Sequence, residues 1–415
     1  MPEFLTLLPP DLAREKLLAA LSRLERACVI ETSSALGRVV ADDVLAPHSL
    51  PEFPRSTVDG YAVRARDTFG ASDSLPGYLK QIGEVPMGAS PRFEIRPGEC
   101  ALIHTGGMLP PGADAVVMLE YTQPAGEEIE ILRAVADGEN LIRVGEDVQQ
   151  GQVVVRRGTL LRPAEIGGLM ALGITELRVV IRPRIGLISS GDEVIPADQT
   201  PAPGQVRDIN AHTLAALVQR AGGEARFYGI QPDRFEALQA AARQALEECD
   251  AVVITAGSSA STRDITAQVI DSLGTPGVLV HGINTKPGKP TILGACDGKA
   301  VIGLPGNPVS ALVNGYLFLV PVIEKLLGLP MDRPRPTLLA RLTLNLASQA
   351  GREDWWPVRL FSALQPGERG ENWLAEPIFG KSNLIFTLVA ADGLIKIPPD
   401  ATGLSAGETV EVFLM

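Results

Sequence analysis

Cysteine is scarce in this 415-residue chain. Cys28, Cys100, Cys249 and Cys296 are scattered, with no CxxC and no metal-ligand spacing, so reduced thiols in a cytoplasm are the expectation. No apolar run reaches the length of a membrane span, and the longest, Tyr316 to Ile323, is short and contains Pro321. The N-terminus, MPEFLTLLPPDLAREK, lacks a basic start followed by a hydrophobic core and a cleavage site, so no secretory signal is expected. Positive charge is in deficit: 37 Lys and Arg stand against 49 Asp and Glu, a formal net charge of -12. That argues against a nucleic-acid surface. It also requires a local positive pocket for any anionic ligand, because the global field repels it. There is no internal repeat, and the 42 Gly and 33 Pro are spread out rather than gathered into low-complexity tracts.

What is present fits a globular protein of several domains, with 45% hydrophobic and 21% charged residues. Asp11 to Leu24 predicts an amphipathic helix with Leu17, Leu18, Leu21 and Leu24 on one face. Cys28 to Leu45 predicts a short strand and a helical turn, and the Pro-rich Ala46 to Pro54 a linker. Residues 48–147 read as an inserted, mainly β domain, with strands at Tyr61–Val63, Glu99–His104, Ala115–Glu120 and Glu128–Leu132 between Gly and Pro turns. A helix at Pro163–Gly173 and a strand at Glu176–Ile181 are expected to return onto the N-terminal elements. Residues 1–47 and 148–181 would then form one elongated linking and dimerisation domain. From 182 to 330, strands and helices alternate, which predicts a mostly parallel αβ sandwich whose ligands bind at the carboxyl ends of strands. After a linker at Leu329–Arg335, residues 331–415 read as a small C-terminal β-barrel, with strands at Leu342–Leu346, Trp355–Leu360, Leu394–Ile397 and Thr409–Phe413. The fold class is therefore multidomain α/β plus β.

Two loops of the central domain suit anions. LPGNPVSA, Leu304 to Ala311, reads as a turn into a helix, where Asn307 can cap and Pro308 fits the first helical position. The free amides and the helix dipole there favour a phosphate. Lys286-Pro287-Gly288-Lys289-Pro290 puts two ammonium groups on a stiff loop at another strand end. An ordinary capped helix or a Pro-rich turn would explain either alone; together they predict a cleft for a phosphorylated ligand. In the β domain, Asp59 sits at a turn before a strand, and His104-Thr105-Gly106-Gly107 combines a hydroxyl with bare backbone. Each alone reads as turn chemistry. Glu146 and Asp147 precede a Gly-containing turn.

Taken in order, STVDGYAV (Ser56 to Val63), Thr105-Gly106, Gly145-Glu146-Asp147, Ser190-Gly191-Asp192-Glu193, GQVRDIN (Gly204 to Asn210), KPGKP and LPGNPVSA form a set. With it the chain resembles, over essentially its whole length, the MoeA family of molybdopterin molybdotransferases, which includes the E domain of gephyrin. The resemblance implies a cytoplasmic, homodimeric transferase of molybdenum cofactor biosynthesis. Such an enzyme joins molybdate to the dithiolene of adenylylated molybdopterin and releases AMP, with Mg2+ assisting. The molybdopterin adenylyltransferase is an implied protein partner; nucleic acid and membrane are not.

Carried over by position, the resemblance implies Asp59, Asp147, Glu193, Asp233 and Asp264 as acidic catalytic residues, with Glu193 and Asp264 as metal ligands. It implies substrate contacts from Thr105, Gly106, Lys286, Lys289, Pro305, Gly306, Asn307, Pro308, Ser310, Arg352 and Ser382. For each carboxylate a helix cap or a solvated charge is the plain alternative, most seriously for Asp233 at a helix start. Arg352 and Ser382, in the terminal barrel, are expected to meet the other loops only across a dimer interface. One loop departs from the family pattern SGGVS-x-G-x-x-D: Thr255 to Asp264 reads TAGSSASTRD, with two glycines lost and Arg263 beside Asp264. Glycine permits close backbone approach. Its loss supports the alternative of a non-catalytic, diverged paralogue that binds molybdopterin or its adenylate as a carrier or regulator.

Overall fold

The runs at 185–190, 251–256 and 300–305 are apolar with little polar alternation, as strands buried on both faces require. They form the middle of a six-stranded sheet in the computed structural model, which describes residues 7–256, 260–362 and 373–415, the side chains of 260–264 excepted. In chain order its strands are β1 (Arg184–Ser190), β2 (Glu224–Gln231), β3 (Ala251–Ala256), β4 (Pro276–His281), β5 (Ile292–Cys296) and β6 (Lys299–Pro305). They are arranged β2-β1-β3-β6-β5-β4. The first four of that row are parallel, and β5 runs against both β6 and β4. Successive side chains alternate between two cores. Val253 and Ile302 face one, with Leu217 and Phe318, while Val252, Ile254 and Val301 face the other, with Leu238 and Ile270.

The helices are α1 (Pro10–Ala19), α2 (Pro163–Ala171), α3 (Asn210–Arg220), α4 (Phe235–Glu248), α5 (Ala260–Leu273) and α6 (Pro308–Leu327). α1 stops short of its expected end at Leu24, whose amide donates instead to the Leu326 carbonyl at 2.8 Å. Pro321 lacks the amide an α-helix needs, and the backbone before it, Gly315–Leu319, is a π-helical turn. α6 corrects the expectation that no segment is of span length. By length and composition it could cross a membrane, yet 83% of its apolar window is buried inside the fold. Its apolarity is that of a core helix.

Near the N-terminus, Ala27–Glu31 pairs antiparallel with Glu176–Val180, and Val44–Leu45 with Val153–Val155. The β module between them thus lies between segments that pair with each other. Its sheet contains two strands beyond those predicted, Gly77–Val85 and Thr122–Ala125. The first escapes pattern reading because its register shifts between Gln81 and Gly83. The C-terminal strands Thr337–Leu342, Glu353–Ser362, Trp373–Pro377, Gly393–Ile397 and Thr409–Leu414 close into a barrel. A sixth, two-residue strand, Thr285–Lys286, comes from the central domain and pairs parallel with Glu353–Asp354.

Candidate functional site

The carboxyl ends of β1, β2, β3 and β6 lie side by side, with Ser190 opposite Gln231, Ser189 opposite Thr255 and Ala256 opposite Pro305. Ser190 donates to Asp233 Oδ1 at 2.6 Å, and the Asp233 amide donates to Asp192 Oδ1 at 3.3 Å. Burial pushes the Asp233 carboxyl above its ordinary range; the Ser190 hydrogen bond opposes this, and the charges of Glu193 and Asp192 reinforce it. Asp192 and Glu193 are themselves exposed. Behind them, Ser189 donates to Asp208 Oδ2 at 2.6 Å, while Asp208 Oδ1 accepts the Ala211 amide at 3.2 Å and so caps α3. Asn210 donates to the Gly306 carbonyl at 2.8 Å and ties α3 to the loop after β6.

That loop differs from expectation. Asn307 makes no side-chain cap; its amide group donates to Ser382 Oγ at 3.1 Å, and the Val309 amide donates to the Ser382 carbonyl at 3.0 Å. Pro308 has no amide, so the first-turn anion site is narrower than the sequence suggests. Pro305 and Ser310 are buried, whereas Gly306, Asn307 and Pro308 are partly accessible.

Ser382 and Arg352 therefore correct a second expectation. Ser382 bonds to the loop after β6 within one chain rather than only across a dimer interface, and Arg352 is held by Asp354, which pairs with Lys286. The reason is the parallel pairing of Lys286 with Asp354, which docks the barrel on the sheet edge. Asp354 is fully buried and holds Arg352 through two hydrogen bonds of 2.6 and 3.0 Å. Lys286 Nζ lies 5.6 Å from the Trp356 ring centroid, a cation–π contact, and both Lys286 and Lys289 are exposed. Asn314, buried between the two loops, donates to the carbonyls of Pro287 at 3.1 Å and Ser310 at 2.8 Å.

A second polar group lies in the inserted β module. Asp59 Oδ1 accepts the Thr105 amide at 2.8 Å and the Thr105 hydroxyl at 3.2 Å. The Thr105 amide holds the Asp59 carboxyl below its ordinary range; partial burial opposes, while the Thr105 hydroxyl and His104 lower it further. The next residue, Gly60, must be glycine, since a Cβ there would overlap the Val117 carbonyl oxygen. Gly106, at φ +83, donates its amide to Ser56 O at 2.8 Å and holds the Thr105 turn. His104, not singled out from the sequence, lies between Glu84 Oε1 at 3.0 Å and Asp59 Oδ1 at 3.8 Å. Its only sequence signal was adjacency to Thr105. Asp147 is exposed and its amide donates to Leu50 O at 3.1 Å, as a turn residue's does. Among the described residues, no hydrogen bond or ion pair joins the Asp59–Thr105 group to the edge of the central sheet.

Asp264 is in the first turns of α5, but its side chain lies outside the described residues. Among the described residues no three His, Cys, Asp or Glu side chains cluster closely enough to form a ready metal cage. The carboxylates of Asp192, Glu193 and Asp233 nonetheless have the hard oxygen donors that suit Mg2+, which uses one or two carboxylates and keeps several waters.

Comparison with known proteins accounts for nearly the whole chain. Residues 8–173 match the MoeA N-terminal region (domain I and II), residues 186–325 the probable molybdopterin binding domain, and residues 339–415 the MoeA C-terminal region (domain IV). The chain is 32% identical over 410 residues to molybdopterin molybdenumtransferase 2 of Mycobacterium tuberculosis, covering 96% of this chain and 98% of that one. It is also 32% identical over 404 residues to the molybdopterin molybdenumtransferase of Haemophilus influenzae, covering 97% of each. A crystal structure of the molybdopterin biosynthesis MoeA protein from Pyrococcus horikoshii aligns at 37% identity and a TM-score of 0.80, over 99% of both chains.

Proposed function

This chain belongs to the MoeA family and is a transferase of molybdenum cofactor biosynthesis, and we propose that it joins molybdate to adenylylated molybdopterin with release of AMP. The observation that carries this reading is the meeting of loops from two domains at one sheet edge, with Lys286 paired to Asp354, which holds Arg352, and Asn307 bonded to Ser382. In a chain of net charge -12, the exposed Lys286 and Lys289 supply local positive charge there for the phosphates. Lys286 and Lys289 hold the phosphate charge, and the Gly306–Asn307 backbone lies against the nucleotide. Glu193, with Asp264, holds Mg2+, and the ion's chemistry when bound is to neutralise charge as the adenylate leaves. Asp233, whose carboxyl burial pushes above its ordinary range, contributes a hydrogen-bonding oxygen beside that pair.

Asp59 and Thr105 enter the same reading through a second chain. In a homodimer the inserted module of one protomer faces the sheet edge of its partner, so that each cleft is built from both. Val29, Leu36 and Leu45, 55–61% exposed on the elongated segment, supply apolar surface for such a contact. The four free thiols support a cytoplasmic location, and the molybdopterin adenylyltransferase is the partner that would hand over the substrate. The altered loop at 255–264 keeps the carrier reading as the rival. AMP release from adenylylated molybdopterin, followed with and without molybdate and Mg2+, separates them. Turnover that needs both ions supports the transferase; tight binding without release favours the carrier.

A further inference from the structure

A cavity of about 500 Å³ opens where α1, α3, α6 and the C-terminal barrel meet. None of the residues assigned above to molybdate transfer lines it. Strand alternation explains the separation: Arg352, Asp354 and Trp356 face Lys286, while Glu353 and Trp355 point the other way, into the cavity. Its volume is that of a small-molecule site, for which about 300–1,000 Å³ is usual.

The lining has two components. Trp355 and Phe413 meet edge to face, with centroids 5.3 Å apart, and Leu217 and Tyr316 extend this apolar wall. The charged part is cationic in a strongly acidic protein. Arg333 and Arg335 are both taken up by Glu324, which is buried. Arg220 is different: its guanidinium is held by the Tyr316 hydroxyl at 3.3 Å and has no carboxylate partner among the described residues. Lys396 stands 4.0 Å from Glu353, whose other oxygen accepts the Trp355 indole N–H at 2.7 Å. Burial pushes the Glu353 carboxyl up, opposed by the Trp355 hydrogen bond and the Lys396 charge.

We propose that this cavity is a small-molecule site separate from the transfer cleft, taking an aromatic compound with one anionic group. Arg220 holds the anion, and the ring packs on Trp355 and Phe413. An uncharged aromatic would lack the ionic contact, and a bare inorganic anion would leave the apolar wall unfilled.

The test is a fluorescence titration of the full chain with 8-anilinonaphthalene-1-sulfonate, beside its uncharged analogue N-phenyl-1-naphthylamine. Expected is one saturable sulfonate site per chain, unaffected by saturating AMP. Arg220→Gln should weaken the sulfonate about tenfold, as loss of a charge-assisted contact does, and leave the neutral analogue unchanged. Ala221→Trp, at the C-cap of α3 and on the cavity wall, should block both probes. Should Ala221→Trp lower the melting temperature, Arg220→Gln on the exposed helix end decides the matter. Equal sulfonate affinity in wild type and Arg220→Gln overturns the proposal. So does displacement by AMP, which would place the probe in the transfer cleft, or absence of a saturable site.

Discussion

Gly288→Ala is the substitution whose cost the geometry sets most clearly. Gly288 has φ +107, in the region that L side chains rarely adopt, and an added Cβ would overlap the side-chain amide of Asn314. That amide is fully buried and bridges the KPGKP and LPGNP loops through Pro287 and Ser310. The backbone strain is worth about 1–3 kcal/mol. Displacing Asn314 forfeits two hydrogen bonds at about 0.5–1.5 kcal/mol each, for a total of about 2–6 kcal/mol. Gly298→Ala is the matched control: its φ of +83 carries the same kind of strain, but no atom lies within 4 Å of its Cβ, so about 1–3 kcal/mol is the whole cost. Urea denaturation and AMP calorimetry on both variants give the reading. Gly288→Ala should lose about twice the stability of the control and should also weaken AMP binding, because both anion loops move. Equal stability losses, or AMP binding untouched by Gly288→Ala, would refute the claim that Asn314 couples the loops.

Other substitutions address single groups. Lys286→Ala should weaken AMP binding about 10- to 150-fold, the equivalent of a charge-assisted contact of ~1.5–3 kcal/mol, with a smaller effect at high salt; unchanged affinity would reduce Lys286 to a side chain resting on Trp356. Burial raises the Asp233 carboxyl above its ordinary range, so its ionised form costs stability at neutral pH and the cost is relieved as pH falls through the raised value. Asp233→Asn should therefore melt higher than wild type at neutral pH and converge with it in acid, and a gap independent of pH would contradict the burial of that carboxyl. Asp264 lies inside α5, which begins at Ala260, so it is not the N-cap its place after β3 suggests; Asp264→Asn should keep the melting temperature and lose most turnover, and retained turnover would remove Asp264 from the reaction.

The architecture was legible wherever burial imposes a plain pattern. β1, β3 and β6 are continuous apolar runs because both their faces are covered, and the break between alternating and continuous runs marked the central domain. Gly77–Val85 was not legible, because a bulge shifts its alternation partway along. For the site, residue types were readable and partners were not. Asn307 stands at an N-cap position as expected, but an Asn side chain also donates, and Ser382, 75 residues away, takes that donor. The docking that sets Asp354, and the Arg352 it holds, against Lys286 depends on a two-residue parallel pairing, too short to leave a periodicity in the sequence. His104 was missed for a like reason: its partners Glu84 and Asp59 lie 20 and 45 residues upstream, joined only by the fold.

The most direct test of the transferase account mixes two variants, Asp59→Asn and Lys286→Ala, at a substrate concentration where each alone turns over little, under conditions that let protomers exchange. Molybdate-dependent AMP release is then measured. Each mixed dimer would hold one cleft with both lesions and one with neither, so about a quarter of wild-type turnover should return. No recovery above the separate variants, with exchange demonstrated, would contradict a cleft built from both chains.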